Sequence, residues 1–226
     1  MLKISVTSFR IALFSALVLF SASLVAAEKD PARWEKDILA FEAADKTNPP
    51  PKKAVLFIGS SSIRLWKSAA QDFPEQKVIN RGFGGSEMID SVYYFDRIVK
   101  PYKPKTIIVY AGSNDINAGK TPEQVFIDFT KFVAKVQKAM PKTRVAFIAI
   151  APNPARWSKV EQFKAANQLI EDFAKKNSKI DYIDVFSAML GDDGKPLPEI
   201  FVKDNLHMNA KGYAIWTPIV REYLEK

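Results

Sequence analysis

Ala54-Val55-Leu56-Phe57-Ile58-Gly59-Ser60-Ser61-Ser62 decides the architecture. Five apolar residues end in a glycine and three hydroxyls. An unbroken apolar run of this length predicts a strand buried on both faces, because a half-exposed strand would alternate polar and apolar residues. Glycine and serine after such a run predict a turn that leaves the strand and opens a helix. Four further strands are predicted at Lys77-Val78-Ile79-Asn80, Thr106-Ile107-Ile108-Val109-Tyr110, Val145 to Ile150 and Ile180 to Val185.

Helix signals fill the intervals. Thr121-Pro122-Glu123-Gln124 combines an N-cap, a first-turn proline and a capping-box glutamine. Val125, Phe129, Phe132 and Val136 follow at helical spacing and predict a core-facing stripe. Ser158-Lys159-Val160-Glu161 reads as a second capping box, opening a helix to about Lys176. Residues 31–46 predict an amphipathic helix with Trp34, Ile38 and Phe41 on one face, ended by Asn48-Pro49-Pro50-Pro51. Asn209 is expected to cap the last helix, with Trp216, Ile219, Val220, Tyr223 and Leu224 facing inward. Pro218 lies in that helix and predicts a kink or a late start.

Strands alternating with helices predict a doubly wound α/β sandwich with a parallel sheet. Ligands of such sheets bind at the carboxyl ends of the strands. The polar clusters fall there: Gly59 to Ser62, Gly82 to Ser86, Gly112 to Asp115 and Pro152 to Trp157.

Composition narrows the chemistry. Hydrophobic residues make up 47% of the 226, which suits a folded core and argues against disorder. With no cysteine, disulfides, thiolate zinc sites and a cysteine nucleophile are all excluded. The net charge of +8 is scattered, with no run of five basic residues, so no nucleic-acid partner is expected. Lys3 and Arg10, an apolar stretch from Ile11 to Phe20 and the small residues Val25-Ala26-Ala27 read as a signal peptide cut after about Ala27. Residues 28–226 then form a single expected domain, secreted or periplasmic, with no stable membrane span after processing.

There is one histidine, His207, in Asp204-Asn205-Leu206-His207. Any imidazole chemistry must use it. Asp204 is placed to orient the ring and stabilise its charged form. A serine hydroxyl needs such a base to become nucleophilic, and Ser61 sits on the turn leaving the first strand. Ser60 and Ser62 compete in the same turn. Taken alone, that turn could equally be a helix cap or an anion site at a helix N-terminus. Gly85 and Asn114 offer a backbone N–H and a side-chain amide for a developing oxyanion, or they are ordinary turn residues. The order Ser, Asp, His matches the α/β-hydrolases, but their Gly-x-Ser-x-Gly elbow is absent.

Other motifs fail. Gly82-x-Gly84-x-x-Glu87 lacks the third glycine of a dinucleotide fingerprint. Gly191-Asp192-Asp193-Gly194 reads as a turn without calcium-loop spacing. No metal site is predicted. Trp66, Trp157 and Trp216 read as core or cleft wall, with Trp157 the best placed to touch a substrate.

Gly59-Ser60-Ser61, Gly85, Gly112-x-Asn114-Asp115 and Asp204-x-x-His207, in that order, resemble the four blocks of the SGNH hydrolases, also called GDSL esterases. The resemblance spans residues 59–207. It implies a five-stranded, flavodoxin-like three-layer sandwich. It implies Ser61 as nucleophile, His207 as base and Asp204 as its partner. It implies an oxyanion hole from the Ser61 N–H, the Gly85 N–H and the Asn114 side chain. Ser60 stands where the family usually has aspartate, which puts the turn's hydrogen-bond network in question. The expected activity is a secreted serine esterase acting without cofactor on short, acetyl-type esters of a carbohydrate or small lipid. The alternative is a non-catalytic flavodoxin-like module that binds phosphate, flavin or carbohydrate.

Overall fold

Five parallel strands build the centre of the molecule: β1 (Val55–Gly59), β2 (Val78–Gly82), β3 (Thr106–Tyr110), β4 (Arg144–Ile148) and β5 (Ile180–Ile183). Their order is β2-β1-β3-β4-β5, the doubly wound order of flavodoxin-like folds. This computed structural model describes residues 30–225, so the expected signal peptide lies outside the described residues.

Burial on both faces holds for the central strands and not for the edges. Every residue of β1 and β3 is buried. β2 and β5 each keep half-buried positions, among them Arg81 and Tyr182. Each has a strand on one side only, so its outer margin meets water or a loop. Polar residues are tolerated there at little cost. β2 also runs two residues further than its apolar stretch suggests, and β5 stops two residues earlier.

Helices cover both faces, and the strand register shows which side each takes. Phe57 pairs with Ile108, and Ile108 with Ala146, so these three point the same way. Phe57 packs against Trp66 and Phe73 from α2 (Ser61–Leu65) and α3 (Ala69–Asp72) and the residues that follow them. Tyr110, on the same face, meets Trp216 of the last helix. Phe147 points the other way and meets Phe129.

The expected capping box at Thr121 forms, and it starts a helix over Pro122–Ala139 whose Val125, Phe129, Phe132 and Val136 are buried. The box expected at Ser158 does not form. Residues Pro154–Lys159 make a 3₁₀ turn, and the following helix, Val160–Lys175, has no side-chain cap. Asn153 wins instead, because its side chain accepts the Arg156 N–H at 3.0 Å one turn earlier.

At the N-terminus, a 3₁₀ turn (Pro31–Trp34) leads into α1 (Glu35–Thr47), which buries Ile38. Arg97 clamps α1 through Glu35 and Glu42. The last helix, Ala210–Glu225, begins well before Pro218 and carries it in its interior, so the late start is not what the chain adopts. Pro218 and Ala214, whose carbonyl loses its donor, are both exposed, so water can satisfy that carbonyl. Asn209 caps the helix by accepting the Lys211 N–H at 2.8 Å. Among the described residues, no helix is long and apolar enough to cross a membrane.

Candidate active site

Both β2 and β3 flank β1, so the chain leaves β1 and β3 in opposite directions and opens a crevice between their ends. The turn after β1 fills one wall. Gly59 has φ +129°, and a Cβ there would lie 1.9 Å from the Tyr110 carbonyl oxygen, so only glycine lets the strands approach this closely. Ser60 N–H then donates to the Tyr110 carbonyl at 3.0 Å, and the Phe83 N–H donates to Gly59 at 2.9 Å. The Tyr213 hydroxyl donates to the Ser62 carbonyl at 2.9 Å. These bonds come from backbone groups and a distant tyrosine, so the turn is held without a carboxylate at position 60.

Ser61 opens α2, where its N–H has no intrahelical acceptor. Its Oγ lies 2.9 Å from His207 Nε2. The imidazole arrives on a tight reversal in which Val202 N–H donates to the His207 carbonyl and Asn205 N–H to Val202, both at 2.9 Å. Asn205 takes the left-handed conformation that asparagine tolerates.

Asp204 organises this reversal. Its Oδ1 accepts the N–H groups of Leu206 and His207 at 2.9 Å each, and its Oδ2 lies 2.6 Å from His207 Nδ1. The His207 backbone N–H first, then the imidazole and the Leu206 N–H, hold the Asp204 carboxyl down to about 2 against the opposing effect of burial. It is therefore ionised whenever the ring needs a negative partner.

The opposite wall comes from the turns after β2 and β3. Gly85 has φ +77° and is exposed, and a Cβ there would come 3.3 Å from the Trp34 ring. Asn114, near the start of the short helix Ser113–Asn117, donates from Nδ2 to the Ser86 carbonyl at 2.9 Å. Asp115 ties the two turns together. One carboxylate oxygen accepts the Met88 N–H at 2.9 Å and the other the Gly112 N–H at 3.0 Å. Lys120 supports it from below at 3.3 Å, with Asp128 at 2.9 Å and Glu87 at 3.2 Å. Burial works hardest against this ammonium, but Asp115 and Asp128 outweigh it and keep Lys120 above the usual lysine value.

Two recesses open on Ser61. A small one of about 20 Å³ lies among Ser62, Tyr110, Ser113, Asn153 and Arg156. A wider one of about 410 Å³ extends past Trp34, Asp37, Arg64, Gly84 and Gly85. Both are also lined by Asn114, Arg156, Leu206 and His207.

The structure thus brings Ser61, His207, Asp204, Gly85 and Asn114 to one crevice. Trp157 is half-buried and lines neither recess; its neighbour Arg156 does. Arg156 has non-helical backbone angles, φ −124° and ψ 23°, inside the 3₁₀ turn. It was missed in the sequence because its only signal is a basic residue in the loop after the fourth strand. Trp66 and Trp216 are buried in the core.

The family model for the GDSL-like lipase/acylhydrolase family matches residues 51–215. No curated protein matches the chain. Among solved structures, a GDSL-like lipase from Bacteroides thetaiotaomicron is similar, with a TM-score of 0.73 and 20% identity over 87% of this chain and 98% of that one. An acetyl-xylooligosaccharide esterase from Geobacillus stearmophilus has a TM-score of 0.64 and 13% identity over 78% of this chain and 96% of that one. A carbohydrate esterase family 3 protein from Talaromyces cellulolyticus has a TM-score of 0.58 and 17% identity over 77% and 97%.

Proposed function

The chain belongs to the GDSL-like lipase/acylhydrolase family and is a carboxylic ester hydrolase, and from that premise we propose that Ser61, His207 and Asp204 are its catalytic triad. One observation carries the reading. A serine and a histidine separated by 146 positions meet at 2.9 Å, and an ionised carboxylate holds the ring from behind at 2.6 Å. A phosphate- or flavin-binding module would have no use for that arrangement.

In this reading Asp204 keeps the Nδ1 proton in place, so Nε2 presents its lone pair to the Ser61 hydroxyl. Ser61 Oγ attacks the ester carbonyl as its proton passes to Nε2. The carbonyl π electrons move onto oxygen, where the N–H groups of Ser61 and Gly85 and the Asn114 amide donate to the new charge. Collapse breaks the bond to the alcohol, which leaves with the proton from Nε2. Water then repeats the sequence on the acyl-enzyme and frees Ser61.

The substrate we propose is a short-chain ester, acetyl-type, on a carbohydrate or small lipid. The recess of about 20 Å³ beside Ser61 has room for little more than one methyl-sized or water-sized group. The wider recess, with Trp34 and Arg64 on its walls, suits a bulkier alcohol half. We further propose that residues 1–27 direct export and are removed, leaving residues 28–226 as one domain in a secreted or periplasmic enzyme. Sequencing the N-terminus of the exported protein tests this.

Ser61→Ala is expected to lower turnover of 4-nitrophenyl acetate by about 10⁴-fold or more while leaving the melting transition in place. A fluorophosphonate should label the wild type at Ser61 and leave the variant unlabelled. Unchanged turnover in Ser61→Ala would sink the triad assignment.

A further inference from the structure

We infer that Arg156 is a positioning residue for the oxyanion hole, fixing which end of the Asn114 amide faces the reacting carbonyl. The inference rests on the reading of Asn114 as an oxyanion donor.

An asparagine amide is nearly symmetric in shape and opposite in chemistry at its two ends. With Nδ2 toward the substrate it donates to a developing oxyanion. Flipped, it presents Oδ1 and repels that charge. Asn114 therefore needs something to break the symmetry, and two contacts do so in the same sense. The Ser86 carbonyl can only accept, and it takes one Nδ2 hydrogen at 2.9 Å. The Arg156 guanidinium can only donate, and its NH1 reaches Asn114 Oδ1 at 3.0 Å. The second Nδ2 hydrogen is then the remaining donor of that amide on a side chain that lines both recesses.

Arg156 is itself held for this task. Its NH1 also donates to Ser113 Oγ at 2.8 Å. Its backbone N–H is capped by Asn153, and the neighbouring Ala155 N–H donates to the Asn205 carbonyl at 3.0 Å. The 3₁₀ turn that carries Arg156 is thereby fastened to the reversal that carries His207. No carboxylate among the described residues neutralises the guanidinium, and burial pushes its pKa below the usual arginine value. A half-buried positive charge without a counter-ion costs stability. Placed behind the amide oxygen, it polarises Asn114 and makes Nδ2 a stronger donor when negative charge appears on the substrate.

A double-mutant cycle on 4-nitrophenyl acetate tests this. Asn114→Ala should lower kcat by about 10²- to 10³-fold. Arg156→Gln should lower kcat by about tenfold to a hundredfold with KM changed less than about threefold. In the Asn114→Ala background, Arg156→Gln should cost less than about threefold, because the group it orients is gone. Arg156→Lys, which still can only donate, should recover part of the loss. Melting curves of each variant separate a folding defect from a positioning one, and Arg156→Met, which also lacks the donor, carries the same cycle if Arg156→Gln does not fold.

An Arg156→Gln enzyme with wild-type kcat overturns the inference. So does the same fold-loss with and without Asn114, which would mean that Arg156 acts independently of the amide. Wild-type kcat in Asn114→Ala alone would instead remove the oxyanion reading on which the inference stands.

Discussion

Asp204→Asn should cut turnover by about 10⁴-fold and leave the fold almost untouched. The two carboxylate oxygens do separate work. Oδ1 closes the turn on the Leu206 and His207 N–H groups, and Oδ2 faces His207 Nδ1. An asparagine can keep the first role with its own oxygen. Its amide nitrogen then faces Nδ1, and a donor there can pair only with an unprotonated nitrogen. The ring proton is forced onto Nε2, where it points at Ser61 Oγ and blocks acceptance of the serine proton. A 10⁴-fold loss corresponds to a barrier raised by about 5 kcal/mol. Stability follows a different account. The Asp204 side chain is 47% exposed, so its charge interaction is largely screened, and the turn bonds survive. The unfolding free energy should therefore fall by less than about 1 kcal/mol. Steady-state hydrolysis of 4-nitrophenyl acetate gives the first number and urea unfolding the second. Asp204→Ala is the control: it removes both roles, so it should lose comparable turnover and about 1 kcal/mol more stability. An Asp204→Asn enzyme that keeps more than a tenth of wild-type kcat would refute the tautomer argument.

Three further outcomes are expected. The Asp204 carboxyl falls from 3.8 to about 2 on folding, so its contribution is present above the unfolded value and is lost as pH drops through the folded one. The melting-temperature gap between wild type and Asp204→Ala should thus be widest near neutral pH and narrow as pH falls through about 2, leaving what the turn bonds contribute; a gap independent of pH contradicts the assignment. Gly59→Ala would place a Cβ 1.9 Å from the Tyr110 carbonyl oxygen at φ +129°, and no cooperative unfolding transition is expected; a soluble variant with wild-type melting would disprove the close approach. Lys120→Met leaves Asp115 and Asp128 buried without their ammonium, and urea unfolding should show a loss of about 3–5 kcal/mol, with a loss under about 1 kcal/mol counting against the ion cluster.

The elements that the sequence predicts well are those whose signal is local. A buried strand needs an apolar run, and Val55 to Ile58 and Thr106 to Tyr110 carry it without interruption. A helix start needs a cap within three residues, and Thr121 supplies one. The elements that came out differently depend on competition with groups elsewhere. Ser158 had a valid capping pattern, but Asn153 and Pro154 began a 3₁₀ turn first. Lys77 to Asn80 and Ile180 to Val185 read like central strands, yet each lies at a sheet edge. Strand order is a matter of which partner lies alongside, and a strand's own residues do not state it.

By itself the sequence determined the alternation of strands and helices, the exclusion of thiol and two-histidine chemistry, and the single imidazole through which any acid–base step must pass. Hydrophobic periodicity and residue chemistry are properties of the chain, so they can be read before it folds. Only the tertiary structure decided that Ser61 and His207 meet, that Asp115 ties together the turns after β2 and β3, and that Arg156 rather than Trp157 reaches the crevice. Each of these is a contact between turns far apart along the chain. Where a side chain on such a turn points is set by the neighbours that accept or donate its bonds, and those neighbours are assembled only when the sheet brings its carboxyl ends together.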